Sequence, residues 1–126
     1  MPSEPNRLHF VIEGPPRPKG RPRMGANGNV YTPDATRAYE LSVRMYALQA
    51  VRASGWKLSN PTARFAVWLH AYFASSRRID LDNVLKCADG ANGIIWKDDS
   101  QIDEVHAYRR IDKDNPRLEV TVEVMT

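Results

Sequence analysis

The chain has 126 residues, 42% of them apolar and 26% charged, with a formal net charge of +3. That fits one soluble domain able to bury a modest core, and no apolar run approaches the ~20 residues needed to cross a bilayer. Met1-Pro2-Ser3-Glu4-Pro5 lacks the apolar stretch of a signal peptide, so a cytoplasmic protein with no membrane partner is expected. Cys87 is the single cysteine, which excludes an intrachain disulfide and a cysteine-based zinc site. His9, His70 and His106 fall at no metal-ligand spacing, so any metal is expected to be held by oxygen.

Leu8 to Ile12 is a short β-rich run and reads as a first strand. From Gly14 to Arg23, four prolines and two glycines in ten residues exclude helix and central strand, leaving a stiff, extended, cationic loop. Thr32-Pro33-Asp34 is a helix start, with an N-cap hydroxyl, a proline at the first helical position and an acid in the first turn. Ala38, Leu41, Met45 and Leu48 follow at spacings of three and four and form one apolar stripe, so residues 33–53 are an amphipathic helix, ended by Ser54-Gly55.

Alternation then returns. Ala63, Phe65, Val67, Leu69, Ala71 and Phe73 share one face of a strand, with Arg64, Trp68, His70 and Tyr72 on the other. Residues 81–91 carry enough Leu, Val, Lys and Ala for a short helix that Asn92-Gly93 ends, and Ile94-Ile95-Trp96 is a short buried segment. Residues 102–111 alternate as a strand, Asp112 to Pro116 is a turn, and Leu118, Val120, Val122 and Val124 mark a final strand. The order β-α-β-α-β-β, with no linker or repeat, predicts one α/β domain over residues 1–126, a mixed sheet packed by one long and one short helix.

The charge is unevenly placed. Residues 1–64 hold ten basic side chains against four acidic ones, whereas residues 80–104 hold seven acids against two lysines. Within the acidic stretch stand Asp80-Leu81-Asp82-Asn83, then Lys86, then Asp98-Asp99. Crowded carboxylates repel, and a chain that twice sets Asp beside Asp favours a cation between them. Hard divalent ions such as Mg²⁺ take carboxylate and phosphate oxygens. An acidic knot in a basic protein therefore suggests metal-dependent chemistry on a phosphate backbone. Asp80 and Asp82 converge only if Asp80 lies at or before the helix start, whereas Asp82 and Lys86, four apart, share a helical face. Each feature also has a purely structural reading: Asp80 as a cap, Lys86 as an i,i+4 partner of Asp82, Asp98-Asp99 as a turn. The Arg-rich loop suits bidentate contact with phosphates, and Tyr31, Tyr39, Trp56, Trp68 and Tyr72 are either base-stacking or core and rim aromatics.

With these residues in hand, the chain resembles the RusA-type Holliday-junction resolvases common in phages and prophages. The resemblance is carried, in order, by Pro18-Lys19-Gly20-Arg21-Pro22-Arg23, Tyr31-Thr32-Pro33 with Thr36 and Tyr39, and Arg78-Ile79-Asp80-Leu81-Asp82-Asn83-Val84-Leu85-Lys86. It continues through Asp89, Asn92-Gly93-Ile94 and Asp98-Asp99-Ser100-Gln101-Ile102. It implies a small α/β homodimer that binds four-way DNA junctions and nicks two strands symmetrically with Mg²⁺, or Mn²⁺ in its place. By motif match, Asp80, Asp82 and Asp99 would be the metal site and Lys86 the catalytic lysine, with Asp98 a secondary candidate. Lys19, Arg21, Arg23, Arg77 and Arg78 would grip backbone phosphates. A C2 dimer would present two identical sites to the two equivalent scissile phosphates of a junction. The rival expectation is a non-catalytic DNA-binding module whose acidic cluster only caps and turns the chain, and composition also leaves open a small RNA-binding protein.

Overall fold

A computed structural model of the chain describes residues 6–17, 23–31, 34–57, 62–76, 84, 86 and 89–125. Alternating apolar residues build four long strands: β1 (Arg7–Glu13), β4 (Arg64–Phe73), β5 (Ile102–Ile111) and β6 (Arg117–Met125). They form one mixed sheet in the order β1-β6-β4-β5, with β4 and β5 parallel and the other neighbours antiparallel. A two-stranded ribbon, β2 (Arg23–Met24) and β3 (Val30–Tyr31), closes a tight turn after the proline-rich segment. Alternation does not predict that ribbon, because two residues per strand are too few for it to register.

One face of the sheet is apolar. Ile12, Leu69, Leu118, Val120 and Val122 are fully buried, each stabilising the fold by roughly 1.5–3 kcal/mol through loss of wet surface. Helix α1 (Asp34–Ser54) covers that face. It ends where Gly55 adopts φ +76°, the left-handed turn glycine tolerates best, and donates its N–H to Val51 O at 3.0 Å.

The helix is amphipathic, but the stripe it buries is not the expected one. Thr36, Tyr39, Val43 and Ala47 face the core, while Leu41 and Met45 are each 61% exposed and Leu48 is also exposed. The reason is close approach. The returning chain brings Gly90 against α1, where a Cβ would lie 3.0 Å from Val43 Cβ and overlap the Glu40 carbonyl. Small and slender residues at 43 and 47 admit that contact; a Leu-Met-Leu ridge would hold the chain off.

A parallel pair requires a crossover, so the chain leaves the far end of β4 and returns across the apolar face before entering β5. Val84, Ala91, Ile94, Ile95 and Trp96 belong to the core on this path, as expected of the Ile94-Ile95-Trp96 segment. Trp56, just past α1, donates its indole N–H to Ile95 O at 2.9 Å and ties the return path to the end of the helix. Of the anticipated short helix, Val84 and Lys86 are helical, and Asp89–Ala91 form a single 3-10 turn. No helix among the described residues is long and apolar enough to cross a membrane.

Candidate active site

The second half of the acidic stretch is built around a buried glutamine. Asp99–Gln101 form a 3-10 turn immediately before β5, and Asp98 is its N-cap. Asp98 Oδ2 accepts the Ser100 backbone N–H at 3.1 Å and also the Ser100 hydroxyl. In return, Gln101 Oε1 accepts the N–H groups of Lys97 and Asp98 at 2.9 and 3.1 Å. This is a reciprocal capping box, in which side chains satisfy backbone donors that the turn cannot. Gln101 Nε2 then donates to Ala63 O at 3.0 Å, just before β4, fixing the turn to the neighbouring strand. Arg64 clamps the same corner, donating to Ser100 O at 2.8 Å and to Asp103.

Two adjacent aspartates thereby acquire different duties. The Ser100 hydroxyl, then the Ser100 N–H, hold the Asp98 carboxyl below the usual carboxylate range, and that side chain is spent on the cap. Asp99 is exposed. Its Oδ1 accepts the indole N–H of buried Trp96 at 2.8 Å, while its other oxygen accepts no hydrogen bond from a described residue. An indole bond to one carboxylate oxygen sets the carboxylate plane and leaves the second oxygen to face solvent or a ligand.

Lys86 is exposed on a helical turn whose opposite side is pinned by fully buried Val84. Residues two apart on a helix point in nearly opposite directions, so burial of Val84 directs Lys86 outward. Asp80, Asp82, Arg77, Arg78, Lys19 and Arg21 lie outside the described residues, and Arg23 lies on β2. Among the described residues, no three acidic, histidine or cysteine side chains gather to hold a metal ion. The described donors at this corner are carboxylate oxygens, whereas His9, His70 and His106 sit on β1, β4 and β5 on the sheet face away from α1. Carboxylate oxygens of this kind suit a hard oxygen-seeking cation.

Trp96 and Gln101, which the sequence reading places in a buried segment and in the family motif, turn out to brace this corner. A signal existed for the second: Asp98-x-x-Gln101 before an apolar alternating run is the capping-box spacing. The exposed side of α1 adds Arg37, Arg44 and Arg52 at intervals of seven and eight, a cationic row along the helix.

The family model described as Endodeoxyribonuclease RusA matches residues 13–123, nearly the whole chain. No curated protein matches the chain.

Proposed function

Because the chain belongs to the RusA endodeoxyribonuclease family, hydrolases that cut DNA and resolve Holliday junctions, we propose that it resolves four-way junctions by paired symmetric nicks. In this reading it acts as a homodimer and uses a divalent metal ion, Mg²⁺ or Mn²⁺. The observation that supports the site assignment is the division of labour at Asp98-Asp99. One carboxylate is consumed by the turn, and the other is oriented by Trp96 with an oxygen to spare.

Asp99 would hold the ion together with Asp80 and Asp82, the remaining carboxylates of the family pattern. A divalent ion bound there supplies charge stabilisation for displacement at a phosphodiester. The chain's own groups do the rest. Lys86 places a compact positive charge where the leaving 3′-oxygen gathers charge as its bond to phosphorus breaks. Lys19, Arg21, Arg23, Arg77 and Arg78 grip backbone phosphates on either side of the cut, and Arg37, Arg44 and Arg52 extend that grip along α1. Such contacts position DNA without reading sequence and weaken steeply with salt.

The test is a labelled synthetic four-way junction with Mg²⁺ or with EDTA, beside linear duplex of the same sequence. Paired nicks that need both junction and Mg²⁺, and are abolished in Asp82→Asn and Asp99→Asn while junction binding persists, are the expected result. Wild-type nicking by either variant overturns the site assignment. Junction binding without a cut in the wild-type protein overturns the catalytic reading.

A further inference from the structure

The face of the sheet turned away from α1 is not the polar surface expected of a half-wet sheet. No described element covers it. Its middle is aromatic: Trp68 of β4 stacks on His106 of β5 with centroids 5.0 Å apart and planes 7° from parallel, and His70 stacks on Tyr108 at 4.6 Å. All four rings are only partly buried.

Apart from Glu119, which lies in the row of His70 and pairs with Arg117 of its own strand at 2.7 Å, the charges lie at the two ends of this patch with opposed signs on each strand that carries them. The strand register places Arg7, Glu123 and Glu104 in one row across the sheet, and Glu13, Arg117 and Arg110 in the row at the far end. Thus β1 runs from Arg7 to Glu13, β6 from Arg117 to Glu123, and β5 from Glu104 to Arg110. Within a strand, six residues separate the two charges by about 20 Å, so they do not meet inside one protomer.

We propose that this face is the interface between two copies of the chain, packed sheet against sheet about a two-fold axis lying between them and perpendicular to the strands. It rests on the reading that the protein works as a homodimer, and it names the surface. Such an axis lays each strand over its own copy running the other way. Arg7 then meets the partner's Glu13, Glu123 the partner's Arg117 and Glu104 the partner's Arg110. Trp68 meets the partner's His70 and His106 the partner's Tyr108. No like charges are opposed. An aromatic centre without lysine, holding the single acid Glu119 already paired with Arg117 and rimmed by charge, is close to the composition that protein interfaces favour, and face-to-face sheets with roughly aligned strands are a common packing. A nucleic-acid platform fits less well, because the face carries Glu13, Glu104, Glu119 and Glu123 against Arg7, Arg110 and Arg117, and a polyanion is repelled by the surplus.

Sedimentation velocity across a concentration series, with circular dichroism to confirm folding, tests the interface. The wild-type chain is expected to dimerise. Arg110→Glu sets it against the partner's Glu104, and dimerisation should weaken at least about tenfold. The swap Glu104→Arg with Arg110→Glu should restore it, and Trp68→Ala at the centre should again weaken it. If Arg110→Glu misfolds, Glu104→Arg alone, opposed to the partner's Arg110, serves in its place. A wild-type dimer indifferent to Trp68→Ala and to the charge variants overturns the interface and leaves the dimer standing. Loss and rescue by charge with no effect of Trp68→Ala overturns it in favour of pairing along the β5 edge. Weaker junction binding with an unchanged dimer overturns it in favour of a DNA surface. A wild-type monomer at every concentration removes the dimer reading itself, and the interface with it.

Discussion

Replacing Gln101 by alanine should unfasten the corner that carries Asp99. Gln101 is 4% exposed, and its amide accepts from Lys97 N and Asp98 N and donates to Ala63 O. Alanine removes the side-chain partner of all three and returns none. Each unsatisfied buried group costs roughly 1–3 kcal/mol. The corner is only part-buried, so water entering the space left by the amide recovers about half of that. The net loss is about 2–4 kcal/mol. For a domain of this length, 1 kcal/mol shifts Tm by roughly 3–6 °C, so thermal unfolding followed by circular dichroism should show a drop of about 6–24 °C. Below the new Tm, junction cleavage should fall further than junction binding, because the turn that aims Asp99 has lost its brace while the Arg-rich surfaces are untouched. A Tm within about 2 °C of wild type with unchanged cleavage would refute the reasoning, since it would mean the turn holds its shape without the glutamine.

Four further outcomes follow from the same corner and its surroundings. Trp96→Phe keeps most of the buried ring but deletes the donor to Asp99 Oδ1; cleavage of a labelled junction should slow by about tenfold with affinity by gel shift unchanged. Gly90→Ala drives a methyl group into the Glu40 carbonyl and Val43, and denaturant unfolding should show a loss of roughly 1–3 kcal/mol. Asp98 is held below its ordinary pKa by Ser100, so its contribution to stability is present above the unfolded carboxylate's pKa and is lost as pH falls through the lower folded value. Ser100→Ala removes the first cause of that shift, and acid unfolding should therefore begin at higher pH, as a pH titration of Tm would show. Raising salt should weaken junction binding steeply while leaving the Tm little changed, because the surface ion pairs Arg7–Glu123 and Arg64–Asp103 are exposed and such pairs add little to stability.

Period-two alternation made β1, β4, β5 and β6 legible, because each strand of this sheet has one face in the core and one outside it. Pairing partners were not legible: nothing in β4 or β5 taken alone says that they run parallel, and that fact turns the segment between them into a crossover lying on the core. The helix was legible in extent but not in orientation. Two apolar stripes run along it, and hydrophobicity favours the one with Leu41, Met45 and Leu48. The choice falls to the slimmer stripe because Gly90 must come within contact of Val43, a long-range constraint that periodicity does not contain. The acidic knot shows the same limit at single-residue scale. Asp98 and Asp99 are chemically identical neighbours, and residue type alone gives no reason to separate them. The fold separates them by geometry. The extended backbone at Asp98, with φ −149° and ψ 144°, turns its carboxylate back onto the Ser100 N–H. One residue later the chain is already in the 3-10 turn, and the Asp99 side chain swings to the Trp96 indole. A carboxylate already accepting from the Ser100 N–H and hydroxyl binds a cation only by giving them up, at a cost of roughly 1–3 kcal/mol for each bond left unmade. Among the described residues nothing donates to the second Asp99 oxygen, so under the proposed function it is Asp99, of the two, that would take a metal ion without unwinding the turn that presents it.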